Sequence, residues 1–278
     1  MNKYLSLVKF EHTVFSFPLV VAGAVMAARG LPDWKTFALI LTAAAGARTA
    51  AMALNRIIDS EIDGANPRTK NREIPSGAVS PRGAYLVAAS GLAVYFVSAY
   101  LICPLALALS PAPVVVFAVY PYLKRITPLC HLGVGSALAF APAGGWIAVR
   151  CSLDDIFAPL MLSVFTLFWV AGFDIIYSIH DEDFDRKNGL RSAAVSLGAG
   201  TALSVSTACH TVAVAALIML QAREFGMNIF SIAALAAIIA VFTLERMKAA
   251  DTDLAFFKLN AAAGALVLVF TVCGIYLG

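Results

Sequence analysis

The feature that most constrains this chain is a succession of apolar runs, each long enough to cross a hydrocarbon core, with the charges gathered in the connections between them. A helix needs about 20 residues to make that crossing. Only 13% of the residues are charged and 60% are hydrophobic, whereas an ordinary soluble domain carries about 25% charged residues. A membrane barrel would alternate apolar and polar positions over segments of about ten residues, and these runs are continuous. The chain therefore reads as all-α and polytopic, a single domain over 1–278 formed by one helical bundle.

Nine spans are expected, at 12–28, 37–57, 83–102, 104–122, 130–149, 157–178, 194–218, 228–246 and 259–277. The fourth contains Pro104, Pro111, Pro113 and Pro121, so it should break or kink where proline removes a backbone donor. Alternate loops differ sharply in basic residues. One side receives Lys3, Lys9, Arg56, Arg68, Lys70, Arg72, Arg82, Lys124, Arg125, Arg186, Lys187, Arg191, Arg246, Lys248 and Lys258; the other receives Arg29, Lys35, Arg150 and Arg223. By the positive-inside rule the N-terminus is cytoplasmic, which suits a multi-pass protein of the cell's inner membrane. The five cysteines, Cys103, Cys130, Cys151, Cys209 and Cys273, form no CxxC pair and read as small packing residues. Membrane lipid is the expected surrounding, and no nucleic-acid partner is expected.

Two acidic runs echo one another. Asn55-Arg-Ile-Ile-Asp59-Ser-Glu-Ile-Asp63 leaves the second span, and Asp174-Ile-Ile-Tyr177-Ser-Ile-His-Asp181-Glu-Asp-Phe-Asp185 leaves the sixth; Asp59 to Asp181 and Asp63 to Asp185 are both separations of 122 residues. Four spans lie within one such unit, so the copies share a side and a direction, as parallel repeats do, and a ninth helix completes the bundle. On a continuous helix each Asp pair stands at i,i+4 on one face, with Asn55 and Tyr177 one turn further in. Stacked carboxylates repel unless a cation sits between them, and hard oxygen donors with room for phosphate oxygens suit Mg²⁺. Two facing pairs could hold two Mg²⁺ ions on one diphosphate and stabilise its departure. Arg68, Lys70 and Arg72, then Lys124 and Arg125, then Arg186, Lys187 and Arg191 lie beside the motifs and can grip phosphate oxygens.

The pattern Asn55-x3-Asp59-x3-Asp63 followed by Asn66-Pro-Arg-Thr69, together with Asp174-x2-Tyr177-x3-Asp181-x3-Asp185 and Tyr120-Pro-Tyr-Leu-Lys-Arg125, resembles the UbiA superfamily of intramembrane aromatic prenyltransferases. The resemblance implies nine helices around a central cavity, Mg²⁺ dependence, and transfer of a polyprenyl chain from its diphosphate to a small aromatic acid. It assigns Asn55, Asp59 and Asp63 to one metal-diphosphate site and Asp181 and Asp185 to the other, with Arg68, Arg72 and Lys124 as diphosphate contacts. Asp174 and Tyr177 would lie near the reacting carbon. The stretches Lys9 to Pro18, Ala51 to Arg56 and Asn71 to Pro75 are similar to the 4-hydroxybenzoate polyprenyltransferase branch, and more narrowly to enzymes that prenylate 1,4-dihydroxy-6-naphthoate for menaquinone. Arg56 and Glu73 depart from the usual ubiquinone-pathway residues, Asp and Pro, and bear on the acceptor rather than the donor. The naphthoate is thus the expected acceptor, with 4-hydroxybenzoate, of ubiquinone synthesis, the alternative.

In this reading Asp174 removes the ring proton, while Tyr177, Tyr120, Tyr122 and Phe173 shield an allylic cation. Arg48 lies inside a span, seven residues before Asn55, and such a charge faces an interior cavity. It meets the acceptor carboxylate, meets an inner diphosphate oxygen, or pairs with Asp174. His12 is a further candidate at the acceptor; His131, His180 and His210 lack metal-ligand spacing. A secondary transporter is the rival of another class, but it would carry charge at the midplane, and here the charge lies at one rim.

Overall fold

The structure, a computed structural model, describes residues 3–9, 13–249 and 258–277. In chain order the helices are α1 (Lys3–Leu7), α2 (Thr13–Ala28), α3 (Trp34–Ile58), α4 (Ser60–Ala65), α5 (Pro81–Ile102), α6 (Pro104–Leu109), α7 (Pro111–Leu123), α8 (Cys130–Arg150), α9 (Phe157–Ser178), α10 (Glu182–Lys187), α11 (Ala193–Leu197), α12 (Ala199–Leu220), α13 (Ile229–Met247) and α14 (Asn260–Tyr276). Among the described residues seven segments are long and apolar enough to span a membrane, α6 and α7 counting as one, and the shorter apolar α2 and α14 bring the total to the expected nine. The chain is a multi-pass membrane protein.

Local chemistry sets the helix ends. Asp33 accepts from the amides of Lys35 and Thr36 at 3.1 Å to start α3, and Asn228 does the same for Phe230 and Ser231 to start α13. The fourth span breaks at Ser110, with Pro104 and Pro111 each placed in the first turn of its own helix, where a missing donor costs nothing. The seventh span differs from expectation. It starts at Ala199 rather than near 194, because Gly198 at φ +76° separates it from the short α11.

The repeat is visible in the packing. Helices α2, α3, α5 and α7 form one unit and α8, α9, α12 and α13 the second; α3 packs on α5 as α9 packs on α12, and α2 on α8 joins the halves. Glycines set the closest crossings: a Cβ on Gly145 would stand 2.0 Å from the Val20 carbonyl oxygen, and one on Gly23 would stand 2.0 Å from that of Pro142. Small residues of this kind let membrane helices approach backbone to backbone.

The two halves use their interiors differently. Helices α9, α12, α13 and α14 close on a core containing Phe165, Trp169, Phe242 and Phe270. There Trp169 Nε1 donates to Asn260 Oδ1 at 2.9 Å and Asn260 Nδ2 to Glu245 Oε1 at 3.1 Å, so the buried polar atoms partner one another away from water. The first half, with α8, instead encloses a cavity of about 350 Å³.

One expectation is overturned. Cys103 and Cys151 do not merely pack; they form a disulfide, their Cα atoms 6.2 Å apart, within the usual span of such bonds. Cys103 ends α5 and Cys151 ends α8, at the face opposite the acidic motifs. Sequence spacing concealed the pair, which lies 48 residues apart. Disulfides belong to oxidising compartments, and this one ties the end of α5 to the end of α8.

Candidate active site

Both acidic runs leave their spanning helix through the same break. Asp59 terminates α3 at φ −92°, ψ 3° and Asp181 ends a single 3₁₀ turn after α9 at φ −105°, ψ 2°. Each then starts a six-residue helix, Ser60–Ala65 and Glu182–Lys187, and the two are displaced by 122 residues at both ends. The expected uninterrupted i,i+4 face is thus corrected to a kink at the first Asp of each pair, although Asp63 N still donates to Asp59 O at 2.8 Å.

Both aspartates of the first motif lie against cations. Arg72 donates to both oxygens of Asp63 at 2.7 Å, and Arg56 stands 3.9 Å from the same group. Lys124 Nζ lies 2.9 Å from Asp59 Oδ2, which also accepts from Asn55 Nδ2 at 3.1 Å, and Arg125 lies 3.7 Å from Oδ1. Arg125 further donates to the Ile58 carbonyl at 2.7 Å, at the negative end of α3. Asp59 and Asp63 are each 4% exposed. Burial pushes the Asp59 carboxyl up from its ordinary value, and Lys124 beside it pulls the other way.

The halves meet through Arg68 and Asn66. Arg68 donates to both Asp181 oxygens, through Nε to Oδ1 at 2.9 Å, and its NH1 donates to the Tyr177 hydroxyl. Its guanidinium carbon lies 4.6 Å from the Tyr177 ring centroid, a cation–π contact. Asn66 Nδ2 donates to Asp181 Oδ1 at 3.1 Å. The Lys124 carbonyl accepts from Arg191 N at 2.7 Å, tying the turn after α7 to the segment behind the second motif.

Beneath this rim the cavity is lined mostly by alanine and aliphatic side chains, with Arg48, Ser16, Tyr95 and Tyr120 among its polar groups. Tyr120 is within electrostatic reach of Asp59, Asp174, Arg56 and Arg48 and so marks where the cavity meets the carboxylates. Gly133 makes room for it, since a Cβ there would stand 3.1 Å from Tyr120 Cβ. Arg48 does not pair with Asp174. Its NH2 donates to the Lys9 carbonyl at 3.3 Å, NH1 reaches Ser16 Oγ at 3.5 Å, and the buried Nε has no partner among the described residues.

Asp174 instead accepts from His131 Nδ1 at 2.7 Å. The structure therefore brings together Asn55, Asp59, Asp63, Arg72, Lys124 and Arg125 on one side and Arg68, Tyr177 and Asp181 on the other. Asp185 lies within electrostatic reach of Asp181, Lys124 and Arg68. Lys70 stands apart, exposed and without an ion pair among the described residues, and His12 lies outside those residues. Arg56, Asn66 and His131 were missed as site residues. Asn66 sits in a motif already noticed, whereas His131 gave no signal because its partner is 43 residues away.

The donor set fits a hard divalent cation. It consists of carboxylate and amide oxygens, buried Asp59 Oδ1 has no hydrogen-bond partner, and the cationic side chains around it are long enough to withdraw. Among the described residues no cluster of three or more acidic, His or Cys groups is already gathered for a metal, so a cation would bind together with phosphate oxygens rather than in an all-protein cage.

Residues 16–273 match the UbiA prenyltransferase family. This chain belongs to that family. The rival transporter reading falls with that match. The UbiA homologue of Aeropyrum pernix K1, solved in its apo form, shares 36% identity and superposes with a TM-score of 0.85 over 94% of this chain and 97% of that one. A UbiA homologue of Archaeoglobus fulgidus bound to GPP and Mg²⁺ shares the fold, with a TM-score of 0.75 at 18% identity over 98% of both chains. Among curated relatives, the 4-hydroxybenzoate octaprenyltransferase of Vibrio campbellii is 28% identical over 96% of this chain and 95% of its own length, and that of Herminiimonas arsenicoxydans is 30% identical over 87% and 85%.

Proposed function

We propose that this UbiA prenyltransferase transfers a polyprenyl chain from its diphosphate to 4-hydroxybenzoate or a close aromatic acid, at the cytoplasmic face of the cell membrane. The observation that carries the reading is the joining of the two acidic motifs above an apolar cavity, with the half-buried Arg48 inside it. The diphosphate would lie between Asp59 and Asp63 on one side and Asp181 and Asp185 on the other. Mg²⁺, two ions in our reading, would neutralise charge developing on the departing diphosphate. Arg68, Arg72, Lys124 and Arg125 would turn from the carboxylates to phosphate oxygens, Arg68 and Arg72 through bidentate contacts. The prenyl C1–O bond breaks, a ring carbon bonds to C1, and the ring proton passes to Asp174. Tyr177 and Tyr120 present ring faces and hydroxyls near that carbon.

The acceptor expected from sequence, 1,4-dihydroxy-6-naphthoate, gives way to 4-hydroxybenzoate because curated relatives matching nearly the full chain carry that name. Purified enzyme supplied with Mg²⁺, a polyprenyl diphosphate and each acid separately should yield prenylated hydroxybenzoate by mass. Prenylated naphthoate alone would move the enzyme to menaquinone synthesis.

Arg48 is proposed to hold the acceptor carboxylate. A hydrogen bond to a charged group is worth about 1.5–3 kcal/mol, so Arg48→Leu is expected to raise KM for the acid by about 10- to 100-fold and leave KM for the prenyl diphosphate unchanged. An unaltered acid KM would remove Arg48 from that role.

A further inference from the structure

We infer that His131 is the positioning residue that holds Asp174 in the orientation needed to take the ring proton, an inference resting on the proposed role of Asp174. His131 is 4% exposed, in the first turn of α8. Its Nε2 accepts from the Ala193 amide at 3.1 Å, and its Nδ1 meets Asp174 Oδ2 at 2.7 Å. A backbone N–H can only donate, so Nε2 must carry the lone pair and Nδ1 the hydrogen. The imidazole is thus a neutral donor to the carboxylate.

The consequence for Asp174 is directional. Oδ2 is occupied by His131, while Oδ1 has no hydrogen bond among the described residues and the side chain keeps 25% of its exposure. When the ring C–H bond breaks and aromaticity returns, the proton passes to Oδ1 and the electron pair of that bond stays in the ring. His131 gains and loses nothing in the step. It also connects two parts that must act together: Ala193 starts α11, in the segment following the second acidic motif. A shift of that segment on diphosphate binding would therefore reach the proton acceptor through one side chain.

The competing account is that His131 only caps α11. Two amides separate the accounts by reach. In His131→Asn the side-chain nitrogen falls near the position of Nδ1 and can donate to Asp174, but nothing reaches Ala193. In His131→Gln the longer chain places its oxygen near Nε2 and can cap Ala193, but leaves Asp174 unheld.

The test measures kcat, KM and direct binding of a prenyl diphosphate for the Ala, Asn and Gln variants, alone and with Asp174→Asn. Positioned general bases contribute about 10²- to 10⁴-fold, so His131→Ala is expected to lose about 10²-fold in kcat while prenyl diphosphate binding stays unchanged. Asn should recover to within about tenfold of the parent, and Gln should remain near Ala. In the Asp174→Asn background the His131 changes should add nothing. Rescue by Gln but not Asn, or full turnover in His131→Ala, overturns the inference. A slow Asp174→Asn enzyme that loses a further 10²-fold with His131→Ala keeps Asp174 as the base and overturns only the His131 role. Full turnover in Asp174→Asn removes the base assignment, and the inference with it.

Discussion

Asp181→Asn is expected to lose on the order of 10³-fold in kcat/KM for prenyl transfer, equivalent to about 4 kcal/mol of transition-state stabilisation. Two effects combine in that figure. The substitution removes a negative oxygen from the proposed metal-diphosphate site, and it leaves Arg68 facing a neutral amide instead of the carboxylate that both Arg68 and Asn66 now hold. Because Asn keeps an acceptor for both donors, the fold should persist, and a thermal midpoint near that of the parent separates lost chemistry from lost structure. Direct binding of the prenyl diphosphate should weaken and depend less steeply on Mg²⁺. A variant with more than a tenth of parental kcat/KM would show that the second motif does not carry the diphosphate.

The second large effect concerns assembly. Gly145→Val should prevent the bundle from closing, since even the first added carbon would stand 2.0 Å from the Val20 carbonyl oxygen and 3.0 Å from the Ala24 nitrogen. These are backbone atoms and cannot rotate aside, so α2 and α8 must separate, at a cost above the roughly 1–3 kcal/mol of ordinary overpacking. The expected outcome is little monodisperse protein in detergent and a lowered thermal midpoint. Its neighbour supplies the control: a Cβ on Gly144 meets nothing within 4 Å, so Gly144→Ala should fold normally. Equal behaviour of the two variants would contradict the close crossing of α2 and α8 at Gly145.

Much of this architecture is legible in the sequence because membrane physics leaves few choices. Apolar runs must become helices, basic residues sort to one side, and the 122-residue echo fixes two parallel units whose helices do pack alike. What escapes is whatever depends on distances between halves. The spacing of Asp59 and Asp63 suits an uninterrupted helix, and only the three-dimensional structure reveals the break at Asp59 repeated at Asp181. Arg68 reads as one more member of a basic cluster, yet it alone among those residues crosses to Asp181, while neighbouring Lys70 is exposed. Arg56 looks like a departure relevant to the acceptor but lies buried beside Asp63. Cys103 and Cys151 pair because both end spanning helices at the face opposite the acidic motifs, a relation that motif spacing does not reveal.

If the paired motifs act through a divalent cation on a prenyl diphosphate, turnover must follow the metal. The purified enzyme is incubated with a polyprenyl diphosphate and 4-hydroxybenzoate, and diphosphate release and prenylated product are followed together with Mg²⁺, after chelation by EDTA, and after Mg²⁺ is restored. The expected result is one diphosphate per prenylated acid, both lost on chelation and both recovered with Mg²⁺. Prenyl transfer undiminished by EDTA would contradict the account.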